Sequence, residues 1–449
     1  MRSTILKRGS HEDKAGSRNT PEVMHSDGLI AGVSTPSASI QGGGSRRWLV
    51  VGLLFLAVLA NSIDRGNLSI AAVPLMRDFG ISPTRMGTLL SSFFWAYALL
   101  QLPAGYLVDR FGLKWTYAIA FLLWSAASAA VGFADSYAQI LLCRILLGVG
   151  EAAVQPASLA FISRSFSVEQ QGLPTAVYLS GMSFGPALGL GLGAALVAAV
   201  GWRLLFILTG LGACIWIVPW LVMLPREANR PLSVGRSSAA LPWKTLLAQP
   251  TLWGITIGAF FYSYFWYYCL TWLPSYLVMA RDFSFMKMGT YTAAPLMLMA
   301  VVSMTAARAA DRLIARFGRP IFIRKLFVIG GFLLGTSILL LIPLQSSAGA
   351  LAAMMLSLVG IGFAAANYWA LTQAASPPAM VGRVIGCQNT VANVAGICAP
   401  MLTGFLVDRT KNFDVSIVFA GGSLLIAASA FLFLVRERDI DTLRAEFAE

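Results

Sequence analysis

Histidine is almost missing from this chain: His11 and His25 are the only two, and both precede the first apolar run. No imidazole is therefore available among the apolar segments to relay protons, so a buried proton carrier there has to be a carboxylate. Charge is scarce as well, at 12% of residues against 57% hydrophobic, which excludes an ordinary soluble domain. The five cysteines, Cys143, Cys214, Cys269, Cys387 and Cys398, all sit inside apolar runs with no metal-ligand spacing. They read as buried single thiols, and neither a disulfide framework nor a metal centre is expected. No serine and histidine pairing, ligand cluster or large extramembrane loop supports a membrane-embedded enzyme, and no cofactor is expected. The formal charge of +13 comes from short basic clusters between apolar runs, not from one basic surface. Topology and anionic lipid account for it, and nucleic acid is not an expected partner.

What the chain has in abundance is apolar length. After a Ser-, Gly- and Arg-rich tail over 1–46, which cannot bury enough surface to fold alone and lacks the early apolar core of a secretory signal, the runs come regularly. They fall near 48–73, 84–107, 114–133, 137–163, 172–200 and 203–224, then near 251–279, 289–310, 323–344, 348–373, 382–407 and 413–436. Each is about long enough to cross a hydrocarbon core of roughly 30 Å. Six runs, a polar stretch from Pro225 to Pro250 carrying Arg226, Arg230, Arg236 and Lys244, then six more, is the halved layout of an internally repeated transporter. The expected fold is an all-α membrane protein of twelve transmembrane helices in two pseudo-symmetric six-helix bundles. These cover 47–224 and 251–437, joined by a cytoplasmic loop over 225–250 and followed by a cytoplasmic tail over 438–449.

Loop charge sets the orientation. With the N-terminus inside, the cytoplasmic loops hold Arg110, Lys114, Arg164, the four basic residues of the central stretch, Arg312, Arg316, Arg319, Arg324, Lys325 and Arg383. The outer loops hold fewer: Arg77, Arg85, Arg203, Arg281, Lys287, Arg409 and Lys411. Both termini are expected in the cytoplasm.

Against this apolar background a few ionisable residues stand out. Arg144 and Glu151 are seven residues apart, two turns on one face of a helix with about 3.6 residues per turn. An ionised side chain at mid-bilayer costs at least about 2.5 kcal/mol, so the pair is expected to face a bundle interior or a watery cavity. The first run carries a second acid and base, Asp64 and Arg65, in Asn61-Ser-Ile-Asp64-Arg65-Gly-Asn67-Leu-Ser69. Capping at the outer surface would explain one such pair. Two arginines and two carboxylates in the first and fourth helices exceed what capping needs.

The loop after the second run reads Gly105-Tyr-Leu-Val-Asp109-Arg110-Phe-Gly112-Leu-Lys114 and resembles the loop motif of the major facilitator superfamily. Gly105 permits close helix approach, while Asp109 and Arg110 are placed to cap and pair with a neighbouring helix end. Asp311 and Arg312 echo it in the second half, and these five residues are expected to be gating and structural. Gly404-Phe-Leu-Val-Asp408-Arg409 copies the letters, but the topology puts it outside, so no gating role is expected there.

Together with that loop, the Asp64-Arg65-Gly-Asn-Leu-Ser run and the fourth helix from Arg144 to Glu151 resemble the anion:cation symporter family, over roughly residues 47–437. That family includes bacterial galactonate, glucarate, hexuronate and phthalate transporters. The resemblance implies proton-coupled uptake of a small organic anion across the inner membrane, a sugar acid or another carboxylate such as an aromatic acid. Protons and that anion are then the partners beside the lipid bilayer, and the monomer is the expected working unit. Residue by residue it implies that Arg65 and Arg144 hold the substrate carboxylate, that Asp64 and Glu151 take the proton, and that Tyr97 lines the cavity. Trp369 and Asn389 of the second half become its aromatic and polar wall, with core packing as the competing reading of Trp369. Ser62 and Met182 stand where sugar-acid members keep a tyrosine and a glutamine; losing the glutamine removes donors for sugar hydroxyls and leaves a less hydroxylated carboxylate open. In the aromatic run 260–268, Tyr264 or Tyr268 is the expected cavity residue.

The expected coupling is electrostatic: a proton on Glu151 frees Arg144 for a carboxylate, while either partner alone leaves a charge unpaired. The rivals are a proton-driven exporter of the same superfamily, for which paired arginines have no use, and a transporter-like sensor that binds without transport.

Overall fold

The computed structural model describes residues 44–166, 170–224, 249–376 and 381–436, and of residues 44, 102, 105, 109, 172, 183 and 381–383 the backbone alone. The tail up to residue 43, the loop over 225–248 and the segment from 437 onward lie outside the described residues. Gly44 already begins a helix, so 44–46 belong to the first rod and not to the tail.

The described residues form α-helices with short turns and no strand: α1 (Gly44–Ile70), α2 (Ala72–Phe79), α3 (Pro83–Phe111), α4 (Leu113–Val131), α5 (Tyr137–Glu151), α6 (Val154–Ser165), α7 (Gly172–Ala213), α8 (Ile217–Met223), α9 (Pro250–Thr271), α10 (Leu273–Met279), α11 (Phe285–Phe317), α12 (Pro320–Gly335), α13 (Ser347–Ala374), α14 (Val381–Thr410) and α15 (Asp414–Leu434). Among the described residues, eight stretches are long and apolar enough to cross a bilayer. One of them, Leu173–Met223, turns at Gly201, whose φ of 81° needs a residue without Cβ. Dividing that stretch there, with α8 completing its second part, and pairing α1 with α2, α5 with α6 and α9 with α10, is consistent with twelve crossings. The outward faces stay apolar, with Leu99 and Ile215 each 76% exposed, which suits lipid and not water.

Local chemistry explains the helix ends. Helices α3, α5, α11 and α13 start at the same end of the bundle, and Ser82, Ser136, Ser284 and Ser346 cap them by accepting from the backbone N–H three residues on. At the opposite end basic side chains meet exposed helix carbonyls. Arg46 donates to Met223 O at 2.9 Å, and Lys325 to Leu432 O and Val435 O at 2.8 and 2.7 Å. A stripe of glycines, Gly181, Gly185 and Gly189, fixes α1 against α7: a Cβ there would strike Val58, Ser62 or Ile63. That stripe sets the depth and rotation of the helix bearing Asp64 and Arg65.

The first and second sets of helices meet along α3 with α14 and α7 with α11. One buried apolar cluster runs from Leu68, Leu75 and Leu90 of the first set through Trp272 and Leu277 into the interior of the second. A separate cluster, from Val50 through Phe121 and Trp220 to Leu224, fills the other end of the first set. The shared interior therefore lies at the end marked by the serine caps.

Candidate functional site

Three of the broken rods carry residues of the site, and each of those breaks follows from a proline. Pro74, Pro156 and Pro274 lie just inside α2, α6 and α10, where the ring opposes the carbonyl four residues earlier and removes one N–H. The breaks end α5 at Glu151 and α9 at Thr271, part-way along their rods. Gly148 seats α5 on α3, since a Cβ there would lie 2.3 Å from Phe93 O. The sequence Gly148-Val-Gly150-Glu151 thus carries the acid on a helix pressed directly against the Phe93 turn of α3.

The four charged residues come together, though not in the expected pairs. Glu151 accepts from Arg65 Nε at 2.7 Å, with the glutamate fully buried and the arginine side chain 27% exposed. Arg144, expected as the partner of Glu151, makes no ion pair among the described residues; its Nε and Nη1 are buried without a hydrogen-bond partner. The one-face spacing of Arg144 and Glu151 placed both inward but could not foresee that α1 supplies the closer cation. Both guanidiniums lie against the Phe93 ring, Arg65 at 4.7 Å and Arg144 at 5.6 Å from its centroid. Arg65 also stands over Tyr97, whose ring stacks on Phe93.

Asp64 does not pair with its neighbour Arg65, because adjacent residues on a helix point about 100° apart. Its Oδ1 accepts from Ser128 Oγ at 2.8 Å and from Asn67 Nδ2 at 3.4 Å, while Oδ2 is buried without a partner. Asn67 in turn donates to Thr209 Oγ1 at 2.9 Å. Asp64 occupies a separate niche behind α1, fixed to α4 and linked through Asn67 to the second part of α7.

A cavity of about 130 Å³ opens between the first set and α9, and both arginines line it. Ser62 and Ser69 of α1, Phe93 and Phe94 of α3, Met182 of α7, and Trp266 and Tyr267 of α9 contribute to its wall. Tyr264 and Tyr268 are not in that wall: both are buried in packing, and the helical phase of α9 turns Trp266, Tyr267, Leu270 and Thr271 to the cavity instead. Tyr97, Trp369 and Asn389 also lie outside the lining. Tyr97 sits one turn further along α3 as the platform under Arg65, and Trp369 is 40% exposed on α13 with its ring edge-on to Tyr368. Asn389 donates to Gln101 Oε1 at 3.1 Å, and Gln101 Nε2 reaches Gln155 Oε1 at 3.4 Å. Gln101, which sequence reasoning did not single out, is thus a polar joint between the two sets of helices. Its signal was a lone amide among apolar neighbours on α3.

In the loop motif, Gly105 and Asp109 are described by their backbone alone. Arg110 is exposed and donates to Tyr106 OH at 2.9 Å, one turn back on its own helix. Asp311 accepts from Arg324 Nη2 at 2.8 Å, and Arg324 Nη1 reaches Asn367 Oδ1 at 3.3 Å, tying α11, α12 and α13; Arg312 is exposed. The copy at 404–409 is where expectation and structure part. Asp408 accepts from Thr84 Oγ1 of α3 at 2.7 Å and from Lys411 at 3.0 Å, and a Cβ on Gly404 would lie 2.4 Å from Pro83 O. One turn-pair deeper, Gly87 faces Pro400 O, which also accepts from Trp272 Nε1 at 3.0 Å. The motif copy fastens the two sets at the serine-capped end. Asp408→Ala is therefore expected to speed labelling of a Ser69→Cys reporter from that end several-fold, measured with an impermeant maleimide in a background without native cysteines. Unchanged labelling would mean that this contact does not hold the end shut.

A sequence model described as the Major Facilitator Superfamily matches residues 54–400. A "Hexuronate transporter" of Bacillus subtilis (strain 168) is 31% identical over 401 residues, covering 86% of this chain and 94% of that protein. A "Probable L-galactonate transporter" of Escherichia coli (strain K12) is 29% identical over 401 residues, covering 86% and 88%. The crystal structure of a bacterial homolog of the human lysosomal transporter Spinster, inward-facing and occupied, superposes with a TM-score of 0.75 at 18% identity. It covers 89% of this chain and 99% of that one, and the likeness is one of fold.

Proposed function

The chain belongs to the Major Facilitator Superfamily, a family of transporters and not of enzymes, and on that premise we propose that it takes up a small organic anion together with protons. The relatives' names, hexuronate and L-galactonate transporter, support an organic anion of the carboxylate type as cargo. The observation that carries the reading is Arg144: a buried cation on a cavity wall, with two guanidinium nitrogens that have no hydrogen-bond partner among the described residues. Such a group gains most from an anion entering the cavity, because burial has already removed the water that would otherwise solvate it.

The coupling scheme differs from the expected one in which arginine the proton releases. With Glu151 ionised, Arg65 is held and Arg144 alone faces the anion. Protonation of Glu151 frees Arg65 to join Arg144 on the carboxylate. The two arginines and two acids are formally neutral together, so one proton and one monoanion leave the site neutral again. Proton or anion alone leaves an unpaired charge, at about 2.5 kcal/mol or more in mid-bilayer, and holds back the reorientation. Asp64 in its niche is the second protonatable acid. The six-helix sets over 47–224 and 251–437 are the bodies that rock, with the Asp408 contact closing the outer end and both termini in the cytoplasm of an inner-membrane monomer.

The test is the sign of proton movement. Adding a transported carboxylate to de-energised proteoliposomes is expected to alkalinise the medium beyond protein-free controls. Acidification is the signature of the exporter reading, and anion movement without any pH change removes the proton from the cycle.

A further inference from the structure

Resting on the anion-uptake reading above, we infer that the cargo is a compact monoanion with an apolar body, and that a sugar acid is a poor fit to this cavity. Three observations lead there. The wall around Arg144 is mostly carbon, with Leu90, Phe93, Phe94, Met182, Leu190 and Trp266 on several sides. Two of its four hydroxyls are committed as donors: Ser62 Oγ donates to Val58 O at 2.9 Å, and Thr271 Oγ1 donates to Tyr267 O at 2.6 Å, while Ser69 and Tyr267 bring the other two. A sugar acid carries a hydroxyl on nearly every carbon, and so few wall groups would leave most of them without a replacement for the water they lose. The volume points the same way, because about 130 Å³ is close to the roughly 150 Å³ apolar cavity known to take a single benzene ring.

Charge narrows the class further. Arg144 is available to a first anionic group, and Arg65 joins it only when a proton releases it from Glu151. With one proton on Glu151 and Asp64 ionised, the two arginines leave a single net positive charge, which one carboxylate cancels and a dianion overshoots. Met182 is the discriminating side chain: it is 40% exposed, lines the cavity, and puts a thioether where an amide would serve a hydroxyl.

Isothermal titration of the purified full chain with cyclohexanecarboxylate and with gluconate tests this, since both are monoanions differing in the body. Cyclohexanecarboxylate is expected to bind at least about tenfold tighter, and Met182→Gln to narrow that ratio about threefold or more. Binding that needs Arg144 yet favours gluconate, or treats the two alike, overturns the inference and leaves anion uptake standing. A ratio unchanged in Met182→Gln overturns the assignment to Met182. Silence from both acids, or binding that survives intact in Arg144→Gln, overturns the anion site itself and the inference with it.

Discussion

Arg144→Gln binds carboxylates about 30-fold more weakly than the parent, or not measurably, in the same titration. Truncating one partner of a desolvated, hydrogen-bonded charge pair costs about 2 kcal/mol or more, and about 1.4 kcal/mol is a factor of ten. The loss is expected to appear more in affinity than in folding, because among the described residues Arg144 gives up no close ion pair when it is replaced: its Nε and Nη1 have no hydrogen-bond partner, and its guanidinium lies against the Phe93 ring. Arg65→Gln makes the contrast. It strips Glu151 of its partner, so its first effect is on the buried acid and its effect on carboxylate affinity is the smaller of the two. Equal affinity in the Arg144 variant and the parent would place the anion elsewhere.

Most of the architecture was legible because the bilayer imposes it. Backbone groups have no water to bond with in hydrocarbon, so apolar runs of this length have to be helices, and the runs at 48–73 and 84–107 already contain most of α1 and α3. That four charged residues share one interior was legible for the same reason: lipid tolerates none of them singly. What the sequence withheld was rotation. Spacing says that Arg144 and Glu151 share a face of one helix, but whether α1 comes close enough to take the glutamate is decided by Gly181, Gly185 and Gly189 on α7 and by Gly148 on α5. Those glycines could have been read as close-approach stripes every four residues, and the prolines at 74, 156 and 274 as mid-rod breaks. Phase misled the reading of α9, where a run of aromatic residues covers every face and composition cannot tell Tyr267 from Tyr264.

The copy of the loop motif at Asp408 teaches a related point. Its letters were dismissed because the topology set them at the far end from the first motif, yet a Gly four residues before an Asp does the same physical task at either end. The glycine lets two backbones meet, at Pro83, and the aspartate then finds a hydroxyl on the partner helix, Thr84. With the apolar cluster shared across both sets at this end, closure there is a property of interior packing as much as of one hydrogen bond. That is why Asp408→Ala is expected to loosen the end several-fold without leaving it permanently open.

Glu151→Gln abolishes uptake driven by a proton gradient while leaving exchange of one carboxylate for another across the membrane. The amide keeps the size and one acceptor for Arg65 Nε but carries no charge to hold it, so Arg65 stands as if Glu151 were always protonated. The anion then meets two available guanidiniums whatever the pH. A loaded site is neutral and crosses; an empty one keeps a net positive charge between the two sets of helices and does not. Exchange needs only the loaded crossing, whereas net uptake needs the empty return, and that step is where the two activities separate. In proteoliposomes the expected result is accumulation down to the level of the non-energised control, with counterflow kept to within about threefold of the parent and its pH dependence flattened. Concentrative uptake persisting in Glu151→Gln would shift the coupling to Asp64, the other buried carboxylate among the described residues of this half, in its niche against Ser128 and Asn67. Loss of exchange together with uptake would instead mean that the charge of Glu151 is needed to shape the binding site.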